Sequence, residues 1–376
     1  MLHSLLISAS LVALTVSHFN PPESWKDIAA KQSTGDLEKT IESLQRMLLL
    51  KGRFDASSLD PDSKKEIQGL VEEKGYPLEE HFVTTEDGYI LGVFRIPFSR
   101  KESRGALNSG KPVVFLQHGL EDSSFTWVNN FENESLAYIL SDNGYDVWMG
   151  NNRGNYFSQA HVTYTARSAE FWNFTFQNFF LAFLRTLALL KKKNPLVTKK
   201  KKRYDEMGKY DTYAQINYVL EYVNQSKLAY VGHSEGTTQF FAMATSRHEL
   251  QSKIAICYFF VVCLFACLLV VVVDSIGGLA PVAYVGNCKS LVIDLLAALE
   301  LDKIFELFGV RQFLPGQINR MITHVFAPPI CHTTPEVCNL ISEELFGPSK
   351  DLNVSRYEVY YSEAPSDTSV KNIAHW

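Results

Sequence analysis

The stretch KLAYVGHSEGTTQF (227–240) contains the pattern Gly-x-Ser-x-Gly between Gly232 and Gly236. The mostly apolar residues KLAYV before it are typical of a buried strand, and TTQFFAMATS after it can form a helix. A strand that turns directly into a helix leaves room only for small residues around the serine, whose hydroxyl is then exposed at the carboxyl edge of the sheet. The stretch therefore predicts that Ser234 is a nucleophile on a strained turn. The alternative is a glycine-rich turn that contains a serine by chance.

Two backbone groups can be assigned to the oxyanion hole that such a serine requires. The N–H of Glu235 directly follows the nucleophile, and the N–H of Leu120 lies in the turn His118-Gly119-Leu120 after the predicted strand PVVFLQ. Because backbone groups serve here, the side chain of Glu235 is not constrained, although its charge would disfavour a developing anion if it pointed inward. We expect His118 and His233 to be structural residues of their turns.

The segments around the motif alternate between strand and helix patterns. PVVFLQHG (112–119) and GYDVWMG (144–150) are short apolar runs, as buried parallel strands are, and helices are predicted near 129–142 and 212–224. HFVTT and YILGVFRI flank Glu86-Asp87-Gly88, which predicts a β-hairpin. The alternation indicates βαβ units, so we expect an α/β fold with a mostly parallel sheet and helices on both faces.

The N-terminal residues predict export and two helices. The apolar run LLISASLVALTV before Ser17 is typical of a signal peptide over 1–17, and the alternative is an N-terminal core helix. Helical periodicity predicts a helix over 33–51, and a second helix is predicted from Asp60-Pro61 to Gly75. In a secreted chain, four Asn-x-Ser/Thr sequons would be candidate glycosylation sites, at Asn133, Asn173, Asn224 and Asn353.

Composition and cysteine usage limit the function classes. The 376 residues are 46% hydrophobic with a net charge of −5, which is ordinary for a globular protein. Residues 177–204 hold nine basic residues and no acid, so the remainder is acidic, which argues against nucleic acid as a partner. Cys331 and Cys338 are close enough to pair in an oxidising compartment. Cys331-His332 lacks a second ligand pair at zinc-like spacing, so no metal and no other cofactor is expected.

Seven ordered motifs resemble the acid lipase family, the gastric and lysosomal acid lipases. They are FLQHGLEDSSFTW (115–127), NESLAYILSDNGYDVWMGNNRGN (133–155), EFWNFTF (170–176), DEMGKYD (205–211), YVGHSEGTTQF (230–240), LAPVA (279–283) and TSVKNIAHW (368–376). The resemblance implies an α/β-hydrolase core with a helical cap. Together with the N-terminal patterns, it leads us to expect a signal peptide (1–17), a helical N-terminal segment (18–75), the core (76–284) and the cap region (285–376).

The resemblance also implies the chemistry and the partners. The substrate would be a lipid ester, a triacylglycerol or a cholesteryl ester, hydrolysed at acidic pH at a lipid droplet or membrane interface. Ser234 would be the nucleophile, and Leu120 and Glu235 would form the oxyanion hole. The expected location is secreted or lysosomal, and the sequence indicates no oligomeric state.

The chain departs from the family pattern at its end. The family order is Ser, then Asp, then His, on strands that follow the cap, whereas this sequence stops at Trp376. We therefore expect the last core strands, the charge-relay Asp and the His base to be missing, and the lipase to be inactive as written. The later histidines, at positions 248, 324, 332 and 375, are not expected to replace the base, and Asp351 and Asp367 are expected to be solvated cap residues. The alternatives are a membrane-attached lipid-binding pseudoenzyme and a partial chain that aggregates.

Two segments interrupt the family pattern, over 177–204 and about 255–276. Functional interpretations are a polybasic arm for anionic lipid and a membrane anchor over 254–273, which has twenty uncharged residues. A single crossing there would separate the nucleophile from the next strand of the same sheet. Our preferred hypothesis is that both segments are translated introns.

Overall fold

A computed structural model describes residues 57–102, 110–174, 206–259, 276–278, 305, 309–314 and 316–375. Internal contacts divide the chain into Met1–Ala56 and Ser57–Trp376, and all described residues belong to the second unit. The predicted signal peptide, the helix over 33–51 and the whole polybasic segment over 177–204 lie outside the described residues.

A mixed sheet of eight described strands forms the centre of this unit, in the order β1-β2-β4-β3-β6-β7-β8 with β5 paired to β2. The pairs β4–β3, β3–β6, β6–β7 and β7–β8 are parallel, whereas β2 is antiparallel to β1, β4 and β5. The strands are β1 Glu79–Thr84, β2 Tyr89–Ile96, β3 Val113–Gln117, β4 Asp146–Gly150, β5 Ala160–His161, β6 Leu228–Gly232, β7 Ile254–Phe259 and β8 Ile276–Gly278. The predicted α/β architecture and the hairpin at Glu86-Asp87-Gly88 are confirmed.

Side chains of successive residues pack on opposite faces of the sheet, as strand geometry requires. On β3, Val114 and Leu116 face one apolar cluster, while Val113 and Phe115 face another. Helices cover both faces, which is why these strands are apolar throughout. Helices α1 (Ile67–Glu72) and α2 (Leu136–Asp142) supply the first cluster, and α3 (Tyr213–Tyr222) and α4 (Glu235–Ser246) supply the second.

Two predicted helices differ in extent from the sequence interpretation. The helix predicted from Asp60 to Gly75 is interrupted, because a 3-10 helix over Pro61–Lys64 ends at Lys65 with extended backbone before α1 begins. The helix predicted near 212–224 begins earlier, with a π-helical turn over Met207–Thr212 that continues into α3.

The C-terminal region is helical, as predicted for the cap, and includes one short strand pair. Its described elements are β9 Gln312–Phe313, α5 Gly316–Arg320, a π-helical turn Met321–Phe326, α6 Ala327–Thr333, α7 Pro335–Phe346, a 3-10 helix Val354–Arg356, α8 Tyr357–Glu363, β10 Thr368–Ser369 and α9 Val370–His375. A disulfide joins Cys331 on α6 to Cys338 on α7.

The predicted membrane alternative over 254–273 is wrong for the first residues of that stretch. Ile254–Phe259 is β7, which pairs in parallel with β6 and with β8 and therefore belongs to the sheet. Residues 260–275 lie outside the described part. Across the residues that the structure describes, no helix has both the length and the apolar character that a membrane crossing requires.

Candidate active site

Ser234 occupies the turn between β6 and α4, with φ 51° and ψ −118°. A positive φ is rare for a residue with a side chain and indicates a backbone held under strain by its surroundings. The two flanking glycines explain how the turn fits. A Cβ atom on Gly232 would lie 2.8 Å from the carbonyl carbon of Gly236, and one on Gly236 would lie 2.5 Å from the carbonyl oxygen of Gln117. Both glycines are therefore required by packing.

Backbone hydrogen bonds fix this turn against the neighbouring strand. The N–H of His233 donates to the carbonyl of Gln117 at 3.0 Å, and the N–H of Thr237 donates to the carbonyl of Ser234 at 3.0 Å. The first bond joins the turn to the end of β3, where the predicted oxyanion loop begins. The structure thus brings the loop after β3 beside the nucleophile, as the sequence predicts.

Gly119 lies against Ser234. A Cβ atom on Gly119 would be 3.0 Å from Ser234 Cβ and 3.3 Å from His233 Nδ1, so only glycine fits without a shift of the loop. Within the described part of the chain, the N–H of Leu120 has no hydrogen-bond acceptor. Leu120 directly follows Gly119, which lies against Ser234, and this is compatible with a role as an oxyanion donor, which stays a prediction.

His118 is a structural histidine of the loop. It is 1% exposed, Nδ1 lies 2.8 Å from the carbonyl oxygen of Gly119, and Nε2 lies 3.1 Å from the N–H of Asn152. Since Nε2 accepts from a backbone N–H, the proton of the neutral ring resides on Nδ1. Burial lowers the pKa of His118 to about 4, so the ring is neutral at physiological pH. With both nitrogens engaged, His118 is not available as a base.

His233 lies near a carboxyl group and is not hydrogen-bonded to Ser234 in the described part of the chain. Its Nδ1 lies 4.0 Å from Asp122 Oδ2, and burial lowers the pKa of His233. Asp122 accepts hydrogen bonds from the N–H of Ser123, at 2.7 Å, and from the N–H of Gly119, and burial raises its pKa to about 7. Asp122 and His118 therefore both bond to the backbone of the loop after β3.

A small pocket beside the loop is lined by carboxyl groups. Burial, and then the charges of Glu235 and Asp367, raise the pKa of Glu121 to about 7. Burial also raises the pKa of Asp367 to about 6, while hydrogen bonds from Gln159, Asn319 and Gln312 act in the opposite direction. The expectation that Asp367 is solvated is wrong, since it is 5% exposed and lies in this pocket.

The side chain of Glu235 points into the same pocket and is 1% exposed. Gln239 Nε2, one helical turn later, lies 3.2 Å from Glu235 Oε1. Asn372 Nδ2, from α9, lies 3.5 Å and 3.4 Å from the two carboxylate oxygens. The sequence analysis missed Asn372, although the motif TSVKNIAHW that contains it was part of the family resemblance.

The later histidines do not contact the nucleophile where the structure describes them. His324 Nε2 lies 3.8 Å from Glu363, His332 Nδ1 lies 2.7 Å from Glu358, and exposed His248 pairs with Gln251. The side chain of His375 lies outside the described residues, and Asp351 is exposed as expected. Over the described ranges, no histidine nitrogen is hydrogen-bonded to Ser234 Oγ.

The four sequon asparagines lie at the surface. Asn133, Asn173 and Asn224 are exposed, and Asn353 is partly exposed. Asn353 caps a 3-10 helix through a 3.2 Å bond to the N–H of Ser355 and donates to Glu134 at 2.8 Å. Glycosylation of these residues stays a prediction. The described residues contain no group of three His, Cys, Asp or Glu side chains that could hold a metal ion.

Comparison with protein families gives two overlapping matches. Residues 67–131 match a partial alpha/beta-hydrolase lipase region, and residues 112–258 match the alpha/beta hydrolase fold. Among solved structures, epoxide hydrolase A from Mycobacterium thermoresistibile is 18% identical with a TM-score of 0.28, over 48% of this chain and 38% of that chain.

Three curated relatives are more similar in sequence. Lysosomal acid lipase/cholesteryl ester hydrolase of Homo sapiens is 37% identical over 323 residues, which are 85% of this chain and 68% of the relative. Gastric triacylglycerol lipase of Homo sapiens is 37% identical over 84% of this chain and 67% of the relative. Lipase member K of Mus musculus is 36% identical over 88% and 71%, respectively. The chain therefore belongs to the acid lipase family of α/β-hydrolases, whose members are serine ester hydrolases.

Proposed function

We propose that Ser234 attacks the carbonyl carbon of a triacylglycerol or a cholesteryl ester. The observation that supports this most strongly is the strained turn at Ser234, which packs against Gly119 in the loop after β3. In this proposal the N–H groups of Leu120 and Glu235 donate to the oxyanion of the tetrahedral intermediate. The alcohol then leaves, and water releases the fatty acid from the acyl-enzyme.

The proposed substrates come from the relatives. The names of two of them specify cholesteryl ester and triacylglycerol hydrolysis, and the chain aligns with both over more than four-fifths of its length. A lipid droplet or membrane interface is the proposed place of reaction, because such esters are insoluble in water. We further propose a secreted or lysosomal location, in line with the lysosomal and gastric relatives and with surface sequons.

The proton of Ser234 Oγ must go to a base, and no described histidine is hydrogen-bonded to that atom. This observation supports a second candidate function, in which the protein binds a lipid ester but does not hydrolyse it. Without the base, the oxyanion hole alone would leave a residual acceleration of about 10³–10⁴ over water.

The two candidates are distinguished by one experiment on the full chain. The protein, expressed in a secretory host, is treated with a fluorophosphonate and assayed against emulsified tributyrin and cholesteryl oleate. The lipase proposal expects labelling of Ser234 and ester hydrolysis, both lost in Ser234→Ala and kept in the exposed control Ser349→Ala. Saturable binding of a non-hydrolysable ether analogue without turnover would support the second candidate. Folded protein with neither property contradicts both.

A further inference from the structure

The two proposed oxyanion donors lie on different elements. The distance between their N–H groups therefore depends on contacts that hold these two elements together. Leu120 is in the loop after β3, and Glu235 is the first residue of α4. Oxyanion donors act only when they lie within about 3 Å of the position that the oxygen will occupy. A relative shift of the two elements by a fraction of an ångström therefore weakens catalysis.

One short segment, Ser366–Asn372, bonds both to Glu121, the residue after Leu120, and to Glu235. At its start, the N–H of Ser366 donates to the carbonyl of Glu121 at 2.6 Å, one residue after Leu120. At its end, the Asn372 amide lies 3.4 Å from the Glu235 carboxylate. Glu121 has a φ of 53°, so the loop that it belongs to needs such support to hold its conformation.

The segment is itself fixed by buried hydrogen bonds. Asp367 accepts from Gln159 at 2.7 Å and from Asn319 at 3.0 Å, and the hydroxyl of Ser369 donates to the carbonyl of Phe174 at 2.6 Å. Ser366 Oγ accepts from the N–H of Tyr156 at 3.3 Å. The segment is therefore bonded to the core through Gln159, Phe174 and Tyr156, and to α5 through Asn319. These bonds restrict its movement.

The orientation of the Asn372 amide is determined by its neighbours. Nδ2 donates to Thr368 Oγ1 at 3.0 Å and faces the Glu235 carboxylate, and Asn372 is 1% exposed. A flipped amide would place Oδ1 against the carboxylate, which is repulsive. The Glu235 carboxyl group is thus held by the amides of Asn372 and Gln239, in the pocket that Gly119 also lines.

We propose that the segment Ser366–Asn372 is a clamp that positions both halves of the oxyanion hole, and that Asn372 is a positioning residue that acts through Glu235. This inference rests on the proposed roles of Leu120 and Glu235. It assigns to the C-terminal helical region a part in the chemistry that is separate from any covering of an acyl chain. Asn372 itself touches no reacting atom.

The test uses Asn372→Asp, which preserves the shape of the side chain and puts a second carboxyl group against Glu235. We expect kcat on tributyrin to fall by about 10- to 100-fold with little change in KM, less than the loss for deletion of an oxyanion donor. Two adjacent carboxyl groups share a proton at low pH and repel when both are ionised, so the loss grows as pH rises. The other ionisable groups of the pocket, Glu121, Asp122, Asp367, His118 and Arg153, are unchanged in this variant.

Glu235→Gln provides the second arm, because it keeps the backbone N–H and removes the charge. We expect Asn372→Asp to cost much less in this background, since the double-mutant cycle then removes the like-charge pair. Asn143→Asp, an exposed position, is the control for an added charge. Thermal melts of each variant separate this effect from loss of folding.

Three results would overturn the clamp. A folded Asn372→Asp protein with the kcat of wild type is the first. An equal loss in the Glu235→Gln background is the second, and a loss independent of pH is the third. The absence of Ser234-dependent turnover in wild type would instead refute the proposed function, on which the clamp rests.

Discussion

Arg153 Nη2 lies 2.6 Å from Asp211 Oδ1, and the two side chains are 1% and 0% exposed. The arginine also bonds Asp87 through Nη1 at 2.7 Å, and its guanidinium lies 4.0 Å from the centre of the Tyr89 ring. Asp87 belongs to the β1–β2 hairpin, and Asp211 belongs to the π-helical turn before α3. One buried cation thus links the edge of the sheet to the helices that cover it.

Removal of the Asp211 charge leaves the buried Arg153 with one carboxylate partner instead of two. We expect Asp211→Asn to lower the free energy of unfolding by about 3 kcal/mol, since it removes one partner of a buried ion pair and leaves only Asp87 to compensate the arginine. Chemical denaturation at neutral pH measures this directly. Asp351→Asn, an exposed position with the same chemical change, is the control and should shift stability by less than about 0.5 kcal/mol. Equal stability of the two variants would contradict the structural role of Arg153.

Gly119→Ala tests the contact between the oxyanion loop and the nucleophile. The new methyl group would lie 3.0 Å from Ser234 Cβ, so the loop must move by a few tenths of an ångström. We expect kcat for ester hydrolysis to fall by about tenfold or more, because the position of Leu120 changes with the loop. Gly69→Ala on α1 meets only ordinary contacts, the nearest at 3.5 Å, and should keep the wild-type kcat. Identical kcat values for both variants would show that the close approach is unimportant.

Glu121 makes the folded protein less stable as pH rises, because its pKa is higher in the folded protein than in the unfolded chain. Its pKa is raised to about 7 in the folded protein, chiefly by burial, whereas the unfolded chain ionises near 4.5. Below pH 4.5 both states hold the proton, so the group has no effect on stability. As pH rises toward 7, the unfolded state loses the proton first, and the folded state loses up to about 3 kcal/mol of stability.

Glu121→Gln removes this titration. The variant should match wild type in thermal stability near pH 4.5 and exceed it near pH 7. Melting curves across that range measure the difference. A constant offset between the two proteins at all pH values would refute the assignment.

The disulfide between Cys331 and Cys338 stabilises the helical region by restricting the unfolded chain. The two cysteines are seven positions apart, and a loop of that size is worth about 2.5 kcal/mol in the chain-entropy estimate. We expect the double variant Cys331→Ser/Cys338→Ser to have a free energy of unfolding lower than wild type by about 2.5 kcal/mol, measured by denaturant titration. Dithiothreitol should lower the stability of wild type and leave the variant unchanged.

Local sequence signals predicted much of the central sheet and the nucleophile turn. The pattern Gly-x-Ser-x-Gly over 232–236 predicted the tight turn between β6 and α4. It could do so because the need for small residues arises within the turn itself. Apolar runs likewise predicted β3, β4 and β6 to within a residue or two at each end.

The pocket beside the oxyanion loop could not be predicted in this way. Asp367 and Asn372 are more than 130 positions from Glu235, and nothing in their immediate sequence indicates burial. Their role depends on how the C-terminal region packs on the core, which only the tertiary structure reveals. The break of the first helix was also missed, because the backbone is extended at Lys65 and Glu66 and neither residue type signals a helix end.

The two glycines that flank the nucleophile turn have a consequence for engineering. Gly232 and Gly236 are limited by backbone atoms less than 3 Å from any added Cβ, and backbone cannot be repacked as a side chain can. A saturation library over 232–236 would therefore lose almost every variant at the two positions that carry no chemistry. Ser234→Cys replaces one oxygen atom by sulfur and leaves both glycines in place, so we expect it to fold and to offer a thiol nucleophile in this turn.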